Sequence, residues 1–147
     1  MERQKKQAIK SEFFTLEELT KSGTATRLGI KNQPGATEIR NLQYGINMVL
    51  DPLRRLYKNP IIINSGYRCK ELNKAVGGVA NSWHIQGNAA DIHLKDETEA
   101  KTLFNLLKTI PSVDTVLYEH SKSSTWLHVQ WNMDNTPRHH FNYNYKA

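Results

Sequence analysis

The stretch Ser82-Trp83-His84-Ile85-Gln86-Gly87-Asn88-Ala89-Ala90-Asp91 carries an imidazole and a carboxylate on either side of a glycine. Gly87 permits the tight or positive-φ backbone that would fold His84 and Asp91 toward one point. From Ala90 the chain alternates: Ala90, Ile92 and Leu94 share one face and Asp91 and His93 the other, as in a loop entering a strand. Imidazole plus carboxylate is a zinc-type ligand pair. A second alternating run, Trp126-Leu127-His128-Val129-Gln130-Trp131, sets Trp126, His128 and Gln130 on one face. If the two strands are neighbours in one sheet, His128 can face Asp91. His84, Asp91 and His128 would then hold one Zn2+ per chain and leave the fourth tetrahedral position open, as a catalytic rather than a structural site does. A fourth protein ligand would close the site, so His93 is expected to contact substrate or support a ligand instead.

Several elements must bring these residues together. From about Thr37 to Tyr57, apolar Ile39, Leu42, Ile46, Val49, Leu50, Leu53 and Leu56 recur at three- and four-residue steps, predicting the longest amphipathic helix. Pro52 lies inside it and should kink or divide it. Pro60-Ile61-Ile62-Ile63-Asn64-Ser65 reads as a buried strand. Thr15-Leu16-Glu17-Glu18 is a capping box opening a short helix, with Phe13 or Phe14 as its staple. Ser22 to Pro34 reads as an irregular connection. A short helix from Glu71 to Val76 ends at Gly77-Gly78. Asp96-Glu97-Thr98-Glu99 caps another, which buries Ala100, Leu103, Phe104, Leu106 and Leu107. Val113 to Tyr118 is a strand that returns through a polar loop to the His128 strand. This order predicts an α+β domain with a small, largely antiparallel sheet packed against helices. The domain is expected over residues 12–133, between a flexible tail at 1–11 and a polar tail at 134–147. In that last segment His139 and His140 read as surface histidines able to take up stray metal.

Ser65-Gly66-Tyr67-Arg68, Leu72-Asn73-Lys74-Ala75-Val76-Gly77-Gly78, the Ser82-x-His84-x-x-Gly87-x-Ala89-x-Asp91 stretch and Trp126-Leu127-His128-Val129 occur in that order. Together they resemble the zinc peptidoglycan peptidases, which include D-Ala-D-Ala carboxypeptidases, D-Ala-D-Ala dipeptidases and phage L-alanyl-D-glutamate endopeptidases, and whose fold Hedgehog signalling domains share. The resemblance spans roughly residues 12–132. It implies that Arg68 contacts a substrate carbonyl or carboxylate and stabilises an oxyanion, the plainer alternative being a structural salt bridge. It implies a substrate-binding hydroxyl at Ser82, which could instead bond a backbone amide. Many relatives carry a catalytic carboxylate three residues before the final histidine, where this chain has Thr125. Glu119, in the preceding strand, is then the expected general base, against the alternative of a surface glutamate.

The resemblance implies hydrolysis of an amide bond in peptidoglycan stem peptides, in cell-wall lysis or remodelling. Endopeptidase action is favoured over D-Ala-D-Ala carboxypeptidase action, since a small basic chain of this kind looks like a phage lysis enzyme. A zinc-bearing binding module of the same fold is the alternative. The formal net charge of +6 suits any anionic surface. A nucleic-acid-binding protein would use it too, but the cations are scattered and no nucleic-acid motif occurs, so no specific nucleic acid is expected. The charged amino end is not a secretory signal and no stretch is long enough to span a membrane. The chain is therefore expected in the cytoplasm as synthesised, as a monomer, reaching the wall after release. One cysteine, Cys69, excludes an internal disulfide and reads as a buried thiol.

Overall fold

The computed structural model describes residues 9–143. Its helices are α1 (Leu16–Thr20), α2 (Gly23–Leu28), α3 (Ala36–Gly45), α4 (Asp51–Tyr57), α5 (Lys70–Ala75) and α6 (Glu97–Leu107). Its strands are β1 (Ile63–Ser65), β2 (Ala89–His93), β3 (Thr115–His120), β4 (Thr125–Gln130) and β5 (His140–Asn142). They form one sheet in the order β1-β2-β4-β3-β5, antiparallel except for the parallel pair β3 and β5. The architecture is the expected α+β domain with a largely antiparallel sheet. No helix among the described residues is long and apolar enough to cross a membrane.

The alternation in β2, β3 and β4 divides the sheet into two chemically different faces. Ala90, Ile92, Val116, Tyr118, Leu127 and Val129 are buried on one face against the helices. Asp91, Glu119, Trp126, His128 and Gln130 lie on the other. The long amphipathic stretch supplies the support beneath the apolar face. It runs through α3, a π-helical segment (Ile46–Leu50) and α4, with Leu42, Ile46, Val49, Leu50 and Leu53 fully buried. Pro52 stands at the start of α4 and accounts for the interruption: it has no amide to donate and its ring crowds the preceding turn. The helix is divided without losing its apolar stripe.

Local signals hold at several ends. Thr15 Oγ1 accepts from the Glu18 amide at 3.1 Å, and Glu18 Oε1 accepts from the Thr15 amide at 3.4 Å, closing the capping box. Phe14 and Leu19 are buried as the staple requires. Asp96 Oδ1 accepts from the Glu99 amide at 2.8 Å and caps α6. Cys69 is half-buried and caps α5, its sulfur accepting from the Leu72 amide at 3.4 Å.

Three expectations are corrected. Ser22 to Pro34 is not irregular throughout: Ser22 caps α2, its hydroxyl accepting from the Ala25 amide. The segment read as a polar tail returns to the sheet, where His140, Phe141 and Asn142 pair with Thr115, Val116 and Leu117. At the other end, residues 1–8 lie outside the described residues, but Ile9 packs against the core and Ser11 donates to Asp51 at 2.8 Å.

Trp131, just after β4, is fully buried and donates its indole N–H to the carbonyls of Asn41 and Gly87. Gly45 makes room for it: a Cβ at that position would stand 2.0 Å from the Trp131 ring. Gly45→Ala is expected to destabilise the protein by about 1–3 kcal/mol in urea denaturation, through overpacking. Gly23→Ala, where a Cβ meets nothing within 4 Å, should leave stability nearly unchanged.

Candidate active site

Asp91 is the meeting point of three strands. It pairs with Ser65 of β1 on one side and with His128 of β4 on the other. His84 arrives from a different direction, on the 3-10 turn Trp83–Gln86 that precedes β2. Gly87 closes that turn with φ +78°, and a Cβ there would stand 2.5 Å from the Glu38 carbonyl oxygen. Both the backbone angle and the close approach therefore require glycine. Ser82 opens the turn, its hydroxyl accepting from the His84 amide at 3.1 Å.

One donor atom from each of His84, Asp91 and His128 lies within 4.8 Å of the other two. His84 Nε2 is 3.3 Å and His128 Nδ1 2.9 Å from the same oxygen, Asp91 Oδ1. The far nitrogen of each ring faces an oxygen acceptor. His84 Nδ1 is 2.6 Å from the Gly66 carbonyl, and His128 Nε2 is 2.8 Å from Gln130 Oε1. Those partners hold each ring proton away from the centre and turn a lone pair inward, the tautomer that metal-binding imidazoles adopt. Two neutral lone pairs aimed at one carboxylate oxygen repel, so the cluster calls for a cation between them. The donor set thus fits a divalent metal such as Zn2+, with a position left over for water or substrate.

In the metal-free protein a proton on a ring stands in for that cation and turns its contact with Asp91 into a hydrogen bond. Burial disfavours the charge on Asp91, but hydrogen bonds to His128 and His84 outweigh it and hold its carboxyl well below the usual range. Burial also opposes protonation of His128, yet the hydrogen bond and charge of Asp91 prevail and raise its pKa.

The cluster sits in a cleft of about 530 Å³ whose walls include Arg68, Ser82, Trp83, Glu119 and Trp126. Arg68 follows β1 and is fixed through its backbone. Its amide donates to the His84 carbonyl at 3.1 Å, while Asn32 takes the Tyr67 carbonyl and the Cys69 amide on either side of it. Its guanidinium forms no ion pair among the described residues, and its buried Nε has no hydrogen-bond partner. Burial pushes its pKa down, with Asp91 and Glu119 pulling the other way. Glu119 lies across from Trp126 in the β3–β4 register and accepts from the indole N–H at 2.9 Å.

His93 departs from expectation. It shares the strand face of Asp91, yet it opens into a separate cavity with Tyr57, Lys95 and Glu99 and does not line this cleft. Two residues off along β2 is about 7 Å, enough to leave the site. The partners that orient the rings are not among the residues expected at the site. The Gln130 signal was present, since the alternation puts it on the face of His128. The Gly66 carbonyl has no side-chain signature.

An α+β domain with an open histidine, aspartate, histidine donor set in its cleft has the form of a metallopeptidase. The sequence matches Peptidase M15 over residues 12–130, and the chain belongs to that family. Peptidases of this family are zinc-dependent, in agreement with the donor set. The comparison with curated proteins gives no match.

The pKa shifts predict how the metal-free protein responds to pH. Asp91 has a folded pKa below its unfolded value of about 3.9, so its contribution is present above that pH and lost on acidification. His128 has a folded pKa above its unfolded value of about 6.5, so its contribution is fully present below that pH and lost as pH rises through the raised value. Chelated protein should therefore gain most from this site between about pH 4 and 6.5. In urea denaturation, His128→Asn should remove the alkaline loss. A wild type whose stability does not fall on the alkaline side of that window would contradict the arrangement.

Proposed function

We propose that the chain hydrolyses an amide bond in the stem peptide of peptidoglycan, acting as a monomeric endopeptidase with one Zn2+ held by His84, Asp91 and His128. The observation that carries this reading is the convergence of those three donors on the floor of a cleft walled by Arg68 and Glu119. The metal, when bound, supplies Lewis acidity toward a substrate carbonyl and a water. Arg68 offers a guanidinium without a carboxylate partner, suited to the oxygen that gains charge during attack. Ser82 lines the same cleft; its oxygen accepts from the His84 amide, and its O–H is left to donate to substrate.

Glu119 is the general base. One oxygen is occupied by the Trp126 indole, which fixes the carboxylate; the other takes a proton from water and passes it to the leaving amine. The endopeptidase preference rests on the net charge of +6, which suits an enzyme working along an anionic cell wall.

The test is digestion of purified peptidoglycan, with metal content measured for each protein. Wild type should bind one zinc and release new amino termini, whose identity names the bond cut. His84→Ala should lose metal and activity together. Glu119→Gln should keep zinc while kcat falls by about 10²–10⁴. Trp126→Phe, which keeps an aromatic side chain and deletes the N–H, should keep zinc with a smaller loss in kcat. Zinc binding without cleavage by any of these proteins would favour a binding module instead.

A further inference from the structure

The family match ends at residue 130, yet a residue beyond it braces the cleft. Arg138 lies just before β5. Its amide donates to Asp114 Oδ1 at 3.0 Å, and its Nε and Nη2 donate to Asp114 Oδ2 at 3.0 and 2.7 Å. Nη2 also reaches Thr115 Oγ1 at 3.2 Å. Asp114 is only 2 % exposed, so the fork is anchored on a buried carboxylate and the guanidinium plane has little freedom. That plane stands over Trp83, with Cζ 5.3 Å from the ring centroid, within range of a cation–π contact.

Trp83 is the residue before His84 and lines the cleft, whereas Arg138 does not. The guanidinium therefore supports the indole from outside the cavity. The other two tryptophans are tied through their indole N–H groups, Trp126 to Glu119 and Trp131 to the Asn41 and Gly87 carbonyls. Trp83 makes no such bond among the described residues, and its ring face is what Arg138 holds. An indole fixed in this way offers a rigid wall to an amide plane or alkyl chain.

We propose that Trp83 contacts the peptide substrate and that Arg138 is its positioning residue, which makes the segment after β4 part of the working site. This rests on the cleft being the peptide-binding cleft. The indole moves little only while the fork on Asp114 is intact, so the effect of Arg138 passes through Trp83.

The test follows the three indole N–H resonances of zinc-loaded protein by NMR during titration with a soluble stem peptide. A Glu119→Gln background keeps the peptide intact, and Trp83→Phe assigns the signal. Arg138→Ala alone would strand the buried Asp114 charge and could unfold the protein. Asp114→Asn with Arg138→Ala removes both charges and keeps the test interpretable. The expected result is that peptide shifts the Trp83 resonance, and that the double variant binds zinc normally but displaces that resonance and weakens peptide binding roughly tenfold. Trp83→Ala should weaken binding similarly, and adding the double variant to it should cost little more. Arg138→Lys should recover part of the loss. A Trp83 resonance unmoved by a peptide that binds, or additive losses, would overturn the proposal while leaving the hydrolase reading in place. A wild type that neither binds nor cleaves the peptide would overturn both, whatever the Arg138 substitutions do to the indole.

Discussion

The cross-strand pair Asp91 and His128 is the constraint on which the rest depends. The two residues face each other in neighbouring antiparallel strands, and their side chains meet at 2.9 Å on the polar side of the sheet. Slipping β4 by one residue would send His128 to the core face and bring Leu127 or Val129 into the cleft. The same slip would expose apolar side chains that are now fully buried. Hydrophobic burial thus fixes the register, and the register fixes the donor geometry. A sheet that had to be held by the polar pair alone would be far less certain, because two buried lone-pair donors beside a carboxylate favour a cation but not each other.

Beneath the sheet, the apolar stripe that crosses α3, the π segment and α4 performs a related task. Pro52 breaks the helical hydrogen bonding, but the wider turn absorbs the break and keeps Ile46, Val49 and Leu50 directed inward. Gly45 at the end of α3 lets Trp131 lie against the helix, and the Trp131 indole then reaches the Gly87 carbonyl. Gly87 ends the turn that carries His84. Core packing and donor placement are thereby linked through one buried indole, which ties the turn carrying His84 to the strand carrying His128.

Much of this was legible because it rests on local rules. Period-two alternation placed Asp91 and His128 on one face, the spacing of apolar residues revealed the long helix, and Pro52 announced its division. What escaped was what depends on distant partners. β5 is three residues long in a histidine- and asparagine-rich segment, and it is held by pairing to β3 and by the fork of Arg138 on Asp114, across more than twenty positions of chain. No window along the sequence contains both halves. His93 was misplaced for the opposite reason: alternation reported its face correctly, but a face is longer than a cleft. Trp83 and Gln130 were visible as neighbours of donors, yet their parts follow from what stands behind them in space.

The substitution of Thr125 for the carboxylate of many relatives has a geometric reading in this chain. β4 runs regularly from Thr125, which pairs with His120, and position 125 is an odd number of residues from His128. A side chain there falls on the face of Leu127 and Val129, away from the cleft. A carboxylate placed at 125 in this strand would point toward the apolar side and could serve the site only if the strand began later. Glu119 meets the opposite condition. It faces Trp126 across the ladder, on the side of His128, and that indole fixes one of its oxygens. With the hairpin regular up to its first pair, position 125 offers the cleft nothing, and Glu119 is the acidic residue of β3 on the cleft side, which supports the base we propose.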